Sequence, residues 1–235
     1  MDILYVAYNR LAYTQASLSA LLDNTDWTQV DTLYVHDDES RDGTKRWLKE
    51  TLVELPERLP SRVVFESAKR GSPVAVMNWY LDAESEQTAF VKIDNDFIVC
   101  PGWLGEVLRV AHRFPGYDAL GIAPWEGPPV LHGEREVLPA SHIGGIGLIR
   151  KRAFSQCRPI PRGLHGWTSF QTEHDWVQAA WLKPDMPCFE LDRLPVEPWA
   201  DLARRYHAKG WSREWPKYQN TAYYSWWTDS QPKEA

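Results

Sequence analysis

Residues 88–104 read TAFVKIDNDFIVCPGWL, and this stretch gives the first indication of the fold. An apolar segment, predicted as a strand over Ala89–Ile93, runs directly into Asp94, Asn95 and Asp96 and then becomes apolar again. Two carboxylates this close repel each other, so a compensating positive charge is expected beside them, and a divalent cation is the obvious candidate. The alternative is a turn that caps the strand, because Asp and Asn side chains bond their own backbone in such turns.

The rest of the first half alternates short apolar strands with amphipathic helices. Strands are predicted at Ile3–Ala7, Thr32–His36, Arg62–Phe65 and Ala89–Ile93. Helix signals lie between and after them, namely Thr14 as an N-cap, Asp42 as a second cap, Ser72-Pro73 at a third start, and the stretch Trp103–Arg113. This alternation indicates βαβ units, so the predicted fold class is α/β, with a mainly parallel sheet over residues 2–99 and mixed strands after it.

Polar segments follow each of the four predicted strands. They are residues 8–10, 37–38, 67–71 and 94–96, and we call them together the rim. The carboxyl ends of parallel strands meet at one edge of the sheet, and ligands of such folds bind beyond that edge. The four rim segments are therefore predicted to lie close together around a ligand.

The second half of the chain is less regular. Residues 121–134 are rich in Pro and Gly, which predicts a long loop. The stretch SHIGGIGLIRKRAF (141–154) predicts a strand that packs closely through Gly144, Gly145 and Gly147. The stretch TEHDWVQAAWL (172–182) predicts a helix with Trp176, Val177, Ala180 and Trp181 on one face.

Composition favours a soluble protein with a sizeable core. The chain has 235 residues, of which 43% are hydrophobic and 25% charged. A net charge of −6 argues against a chain-wide surface for nucleic acid, although a local basic groove is compatible with it. The three cysteines are far apart and the N-terminus has no basic segment before its short apolar run, so a reducing, cytoplasmic location is expected.

Aromatic residues concentrate at the C-terminus. Five of the 13 tryptophans lie beyond residue 198, so the predicted organisation is a domain over residues 1–198 followed by an aromatic extension over residues 199–235. Such residues can form a platform for a sugar, a lipid-linked glycan or an unstacked nucleobase. They can equally be a hydrophobic seam that seals the tail to the domain.

Four segments, taken in order, resemble a known family. VAYNR (6–10) resembles a first-strand nucleotide loop, and VHDDESRDGT (35–44) resembles the pattern VDDGSTDGT, with Glu39 where Gly is usual. SAKRGSPVAVMN (67–78) resembles an N-x-G-x-x-x-A-x-N segment, and VKIDND (91–96) resembles a metal-binding DxD motif. In this order they resemble the GT-A fold glycosyltransferases, the large family that includes bacterial polysaccharide and rhamnosyl transferases.

The resemblance implies that the donor is a nucleotide diphosphate sugar and that the expected nucleotide is UDP. It also implies Mn²⁺ or Mg²⁺ as cofactor. Asp96 would hold the metal, with Asp94 nearer the ribose or a metal-bound water, and Asp38 or Asp37 would accept a hydrogen bond from uracil. Lys69 and Arg70 would steady the diphosphate or the sugar. The remaining expected donor-site residues are Ala7, Tyr8, Asn9, Arg10, Asn78 and Asn95.

The resemblance also implies a catalytic base near residues 172–182. TEHDW is similar to the family's EDVDW, which makes Glu173 or Asp175 the base of an inverting transfer. The alternative is that both acids only favour the positive end of a helix dipole. His207 would complete the metal shell, with His142 and His165 as weaker candidates, although a lone histidine is more often an ordinary surface residue.

Two other functions are compatible with parts of the sequence. A nucleotidyltransferase shares the strand–helix architecture, but it normally carries a glycine-rich signature where this chain has YNRLAYTQ (8–15). A carbohydrate-binding module would explain the tryptophans but has no need of two carboxylates at a strand end. For a transferase, the expected acceptor is a hydroxyl group on a glycan or on a modified base in DNA.

Overall fold

The first half of the chain builds four parallel strands, in a computed structural model that describes residues 1–83, 85–122, 137–140, 143, 146–160, 177–182 and 188–191. The strands are β1 (Asp2–Ala7), β2 (Thr32–Asp37), β3 (Arg62–Ser67) and β4 (Ala89–Asp94). They lie in the order β3-β2-β1-β4, and the last residues of neighbouring strands pair in register. The predicted parallel sheet is confirmed, and the rim segments all leave its carboxyl edge.

Helices cover both faces of this sheet. They are α1 (Leu11–Asn24), α2 (Thr44–Val53), α3 (Pro73–Asp82) and α4 (Trp103–Arg113), with short 3-10 turns at Trp27–Gln29, Leu55–Glu57 and Lys151–Phe154. The apolar residues of α1, α2 and α4 pack with those of one face, and α3 packs on the other. The predicted start of α3 is confirmed, because the Ser72 hydroxyl accepts a hydrogen bond from the amide of Ala75 at 3.1 Å and Pro73 opens the helix.

The second half extends the sheet with mixed strands, as predicted. These are β5 (Phe97–Val99), β6 (Ala119–Gly121), β7 (Val137–Ala140), β8 (Gly147–Arg150), β9 (Ala179–Leu182) and β10 (Cys188–Glu190). The central sheet continues beyond β4 as β8-β6-β9-β7, and β8 runs antiparallel to both of its neighbours. Strands β5 and β10 form a separate antiparallel pair.

Close packing at Gly147 is confirmed. A methyl group on its Cα would lie 2.3 Å from the carbonyl oxygen of Leu120 and 2.7 Å from a methyl carbon of Ile143. Only glycine therefore fits at the start of β8, between β4 and β6. Gly144 and Gly145 lie outside the described residues.

The helix predicted over residues 172–182 is wrong for its second half, where β9 is a strand. β9 pairs with β6 on one side and β7 on the other, and Ala179 and Ala180 are buried on opposite faces of the sheet. A strand buried on both faces has a continuous apolar sequence, and such a run is not distinguished from a helix by periodicity. Residues 172–176 lie outside the described part of the chain.

The N-cap predicted at Thr14 is also wrong, because α1 already begins at Leu11. The Arg10 side chain does not cap this helix; instead Asp42, from the loop before α2, accepts a hydrogen bond from the Leu11 amide at 3.0 Å. Asp42 also accepts hydrogen bonds from the amide and hydroxyl of Thr44, at 3.1 and 2.7 Å. One carboxylate therefore satisfies the starts of two helices.

Several sequence predictions concern residues that the structure does not describe. They are the loop over 123–134, the candidate bases Glu173 and Asp175, the histidines His142, His165 and His207, and the extension 199–235. Among the helices in the described ranges, none is long and apolar enough to cross a lipid bilayer.

Candidate active site

The loop after β1 turns sharply at the rim. Asn9 and Arg10 have φ angles of 51° and 61°, in the left-handed region that side chains other than glycine seldom adopt. The Asn9 amide donates a hydrogen bond to the Ser40 hydroxyl at 2.7 Å, and its side-chain oxygen accepts one from the Arg41 amide at 2.9 Å. These bonds join the loops after β1 and β2 and hold a backbone conformation of the kind that concentrates at functional sites.

The two aspartates at the end of β2 have different surroundings. Asp37 is fully buried and accepts hydrogen bonds from the Ser40 amide at 3.2 Å and the Ser67 hydroxyl at 2.7 Å. Asp38 accepts hydrogen bonds from the amides of Arg70 and Gly71, and it lines an open cleft. Asp37 therefore holds loops together, whereas Asp38 faces the space where a ligand fits.

The cleft at the rim has a volume of about 510 Å³. It is lined by Val6, Tyr8, Asp38, Glu39, Arg41, Lys69, Gly71, Ser72, Pro73 and Val76. Its volume is typical of a site for a small molecule or a nucleotide. Tyr8 is 57% exposed, so one aromatic ring is available at the cleft, and the exposed Lys69 brings a positive charge to it.

The segment 94–96, which resembles a DxD motif, begins next to this cleft, because Asp94 pairs in register with Val6, which lines it. The Asp94 carboxylate lies 2.5 Å from the ammonium of Lys92, and the Asp96 carboxylate lies 2.9 Å from the Arg10 guanidinium. Asn95 binds the protein itself. Its buried amide donates hydrogen bonds to the Asn9 carbonyl at 2.9 Å and the Thr14 hydroxyl at 2.8 Å.

The donor set at this position suits a hard divalent cation. Asp94 and Asp96 supply carboxylate oxygens, the ligands that Mg²⁺ and Mn²⁺ prefer. Within the described ranges, no cluster of three or more His, Cys, Asp or Glu side chains forms a complete cation site. A cation here would therefore need further ligands, from the substrate or from the rest of the chain.

Two other predicted donor-site residues bind the protein itself. The Arg70 guanidinium contacts the Glu66 carboxylate at 2.6 and 3.0 Å and lies over the ring of Trp79. Asn78 exchanges two hydrogen bonds of 2.8 Å with the backbone of Ile160. Neither Arg70 nor Asn78 is among the described residues that line the cleft.

A buried histidine lies below Asp38. The two nitrogens of the His36 ring lie 3.1 Å from Glu66 and 4.0 Å from Asp38. Burial lowers the pKa of His36, an effect that the neighbouring Glu66 carboxylate opposes.

The sequence reasoning did not single out Glu39, Arg41 or Lys92 as site residues. The only local signal for Lys92 is a lysine inside an otherwise apolar strand, two positions before Asp94. Glu39 has a φ of 59° at a position where the resembling pattern has glycine. The replacement of glycine by Glu39 in the pattern was the sequence signal for a left-handed backbone conformation at this position.

Comparison with known proteins identifies the family. The sequence profile of Glycosyl transferase family 2 matches residues 2–155, which is more than half of the chain. The chain belongs to this family. The match spans strands β1 to β8, helices α1 to α4 and the rim, and no curated protein matches the sequence significantly.

Solved glycosyltransferase structures share the fold of this family member. S. aureus TarS 1-349 is 16% identical, with a TM-score of 0.59 over 80% of this chain and 59% of that chain. The mannosyltransferase PcManGT from Pyrobaculum calidifontis, in complex with GDP-Man and Mn²⁺, is 14% identical, with a TM-score of 0.64 over 87% of this chain and 60% of that one. GalNAc-T7 with UDP, GalNAc and Mn²⁺ is 12% identical, with a TM-score of 0.59 over 80% of this chain and 42% of that one. At these identities the likeness establishes the GT-A fold, and the chain spans about 60% or less of these structures' lengths.

Proposed function

We propose that this protein transfers a sugar from a nucleotide diphosphate sugar, with UDP as the nucleotide, to an acceptor hydroxyl. The observation that carries the proposal is the cleft at the rim, which Tyr8, Asp38 and Lys69 line and next to which Asp94, the register partner of the cleft residue Val6, begins the segment 94–96. Tyr8 and Asp38 suit a nucleobase, and Lys69 suits a diphosphate. The carboxylates of Asp94 and Asp96 suit a cation. The family match and the shared fold support the same activity.

The nucleobase end of the donor fits the part of the cleft around Tyr8 and Asp38. The exposed Tyr8 ring offers a face on which a base stacks. Asp38 is held by two backbone amides, and its carboxylate has further acceptor capacity for the N3–H of uracil. Guanine offers N1–H and N2–H donors to a carboxylate as well, so the preference for UDP is the part of the proposal that a nucleotide screen tests.

The diphosphate end of the donor would bind beside Lys69, Asp94 and Asp96. Lys69 is exposed at the cleft, so its ammonium is accessible to a ligand. Its positive charge attracts the phosphate oxygens. Asp96, with Asp94 nearby, would hold Mn²⁺ or Mg²⁺, and His207 is a proposed further ligand. When bound, such a cation neutralises the charge that develops on the leaving diphosphate.

The acceptor hydroxyl requires a base on the side of the sugar opposite the leaving group if the transfer inverts configuration. We assign this role to Glu173 or Asp175, on the resemblance of TEHDW to the family's pattern. The assignment predicts an inverted anomeric configuration in the product, measured by NMR. It also predicts that Glu173→Gln or Asp175→Asn lowers the rate by roughly 10²–10⁴ while nucleotide binding persists. The proposed acceptors are a glycan or a modified base in DNA, and the proposed location is the cytoplasm.

The experiment that tests the proposal is a nucleotide screen by thermal shift and calorimetry. UDP with Mn²⁺ is expected to raise the melting temperature more than GDP or CMP, because a ligand that binds only the folded state stabilises it. Tyr8→Ala is expected to weaken UDP binding about tenfold through the lost stacking. Val53→Ala is the matched control, since Val53 is 77% exposed on α2 and does not line the cleft.

The outcomes separate the parts of the proposal. Stronger stabilisation by GDP or CMP would make the assignment of uracil wrong. Absence of binding by every nucleotide and nucleotide sugar would overturn the proposed function, and a carbohydrate-binding module would then be the better reading. Release of pyrophosphate from a nucleoside triphosphate and a sugar phosphate would indicate a nucleotidyltransferase instead.

A further inference from the structure

Strand β4 carries a lysine in its interior. Lys92 is only 1% exposed, and its strand neighbours Val91 and Ile93 are fully buried in the core. Lysine is almost never fully buried unless its charge is paired. The ammonium of Lys92 lies 2.5 Å from a carboxylate oxygen of Asp94, so the buried charge has a specific partner at the edge of the cleft.

Strand geometry places Lys92 directly behind Asp94. Side chains two positions apart in a strand share one face of the sheet, so Phe90, Lys92 and Asp94 lie in a row. Phe90 packs with the core on the side of α3. Val6, which pairs with Asp94 and also packs on that side, lines the cleft. The row therefore leads from the core to the cleft, and Lys92 reaches Asp94 from inside the protein.

The second carboxylate has a different kind of partner. Asp96 is paired with Arg10, whose side chain is 23% exposed and extends from the loop after β1. A guanidinium on a loop at the surface can leave its carboxylate when a ligand arrives. The side chain of Lys92, by contrast, is only 1% exposed, so its ammonium contacts Asp94 from the buried side.

We propose that Lys92 is a positioning residue for the donor site. Its buried ammonium fixes the carboxylate of Asp94 by one oxygen and cancels its charge. The carboxylate of Asp96, which contacts Arg10 in this structure, then carries more of the negative charge that a cation meets at the site. This inference rests on the proposed function, because it concerns the roles of the two carboxylates in the same donor site.

The proposal predicts opposite effects on two ligands of opposite charge. Without the ammonium, the carboxylates repel an anionic diphosphate and attract a divalent cation more strongly. Lys92→Met keeps an unbranched apolar stem of similar length and removes the charge. It is expected to tighten the binding of Mn²⁺ alone about tenfold and to weaken the binding of UDP without metal about tenfold. A variant whose site had merely lost its shape would bind both ligands more weakly.

The experiment measures Mn²⁺ binding to the full chain by electron paramagnetic resonance, and UDP binding in EDTA by calorimetry. Lys49→Met is the matched control, because Lys49 is exposed on α2 and its substitution changes the net charge equally. The double variant Lys92→Met/Asp94→Asn removes both partners of the pair. It is expected to bind Mn²⁺ with an affinity near that of the wild type.

The Mn²⁺ measurement decides the inference by itself. Mn²⁺ binding by Lys92→Met that is equal to or weaker than that of the wild type, including no detectable binding by either, overturns it. If Lys92→Met does not fold, the double variant is measured in its place. A folded double variant that binds Mn²⁺ at least tenfold more weakly than the wild type would also overturn the inference. UDP binding by the wild type in the presence of Mn²⁺ tests the proposed function separately, so the two failures are distinguishable.

Discussion

Gly147→Ala is expected to destabilise the fold strongly. The new methyl carbon would lie 2.3 Å from the Leu120 carbonyl oxygen, where ordinary contacts begin at 3.4 Å. The backbones of β6 and β8 would therefore have to separate by about 1 Å to reach a normal contact distance. β8 cannot move away freely, because β4 pairs with it on its other side, where Gly147 lies opposite Lys92. The φ angle of Gly147, +156°, adds strain for any other residue.

The loss in free energy of unfolding caused by Gly147→Ala has two sources, overpacking and lost strand pairing. Forcing extra atoms into a packed core costs about 1–3 kcal/mol, and the backbone clash places this substitution at about 3 kcal/mol or more. For a domain of this size, about 3 kcal/mol lowers the melting temperature by about 6–12 °C. The assay is denaturant unfolding followed by circular dichroism, alongside a thermal scan.

Gly105→Ala is the matched control for this substitution. Gly105 is exposed in α4, and a methyl group on its Cα would meet no atom within 4 Å. Alanine is favoured over glycine in a helix, so this variant is expected to gain about 0.5–1 kcal/mol. A free energy of unfolding for Gly147→Ala within about 1 kcal/mol of the wild type would refute the packing of β8 between β4 and β6.

Three further predictions concern helix starts and the DxD segment. Asp42→Ala is expected to cost about 1–2 kcal/mol at neutral pH, because one carboxylate satisfies the amides of Leu11 and Thr44. Burial raises the pKa of Asp42, but these hydrogen bonds and that from the Thr44 hydroxyl lower it below its usual value. The stability that Asp42 contributes is thus present above its unfolded pKa of about 4 and lost as the pH falls through the lower folded pKa, so unfolding curves of the two proteins should converge in acid. Ser72→Ala is expected to cost about 1 kcal/mol through the lost cap of α3, and an unchanged unfolding midpoint would contradict that role. Asp96→Ala is expected to abolish turnover while the unfolding transition persists; loss of that transition would make Asp96 a structural residue.

Local sequence signals predicted the first half of the fold well. Each of β1 to β4 is an apolar run followed by polar residues, and each of α1 to α4 carries amphipathic spacing or a start signal. Such signals lie within a few residues of the element that they define. The Ser72-Pro73 start and the bounds of α4 were predicted for this reason.

The errors arose where distant residues decide the outcome. α1 begins at Leu11 because Asp42, 31 positions away, accepts the hydrogen bond from its first amide. β9 is a strand because it pairs with β6 and β7, although its sequence of alanines also suits a helix.

The candidate site shows the same limit. The sequence placed Asp94, Asn95 and Asp96 together at the rim, but it could not show that the buried Asn95 amide binds the loop after β1. Nor could it show that Arg70 turns towards Glu66 or that Lys92 reaches Asp94. Which way a side chain turns at a strand end depends on the neighbouring strands, and no short segment encodes that choice.

The central claim is that the carboxylates at the rim serve a transfer from a nucleotide diphosphate sugar. The most direct measurement is the release of UDP from UDP-sugars by the purified protein, with Mn²⁺ or with EDTA, in the wild type, in Asp96→Asn and in the control Lys49→Met. The account predicts UDP release by the wild type and the control in Mn²⁺, and a rate at least about 100-fold lower in Asp96→Asn. Equal rates in Asp96→Asn and the wild type, or no release from any nucleotide sugar by the folded protein, would contradict it.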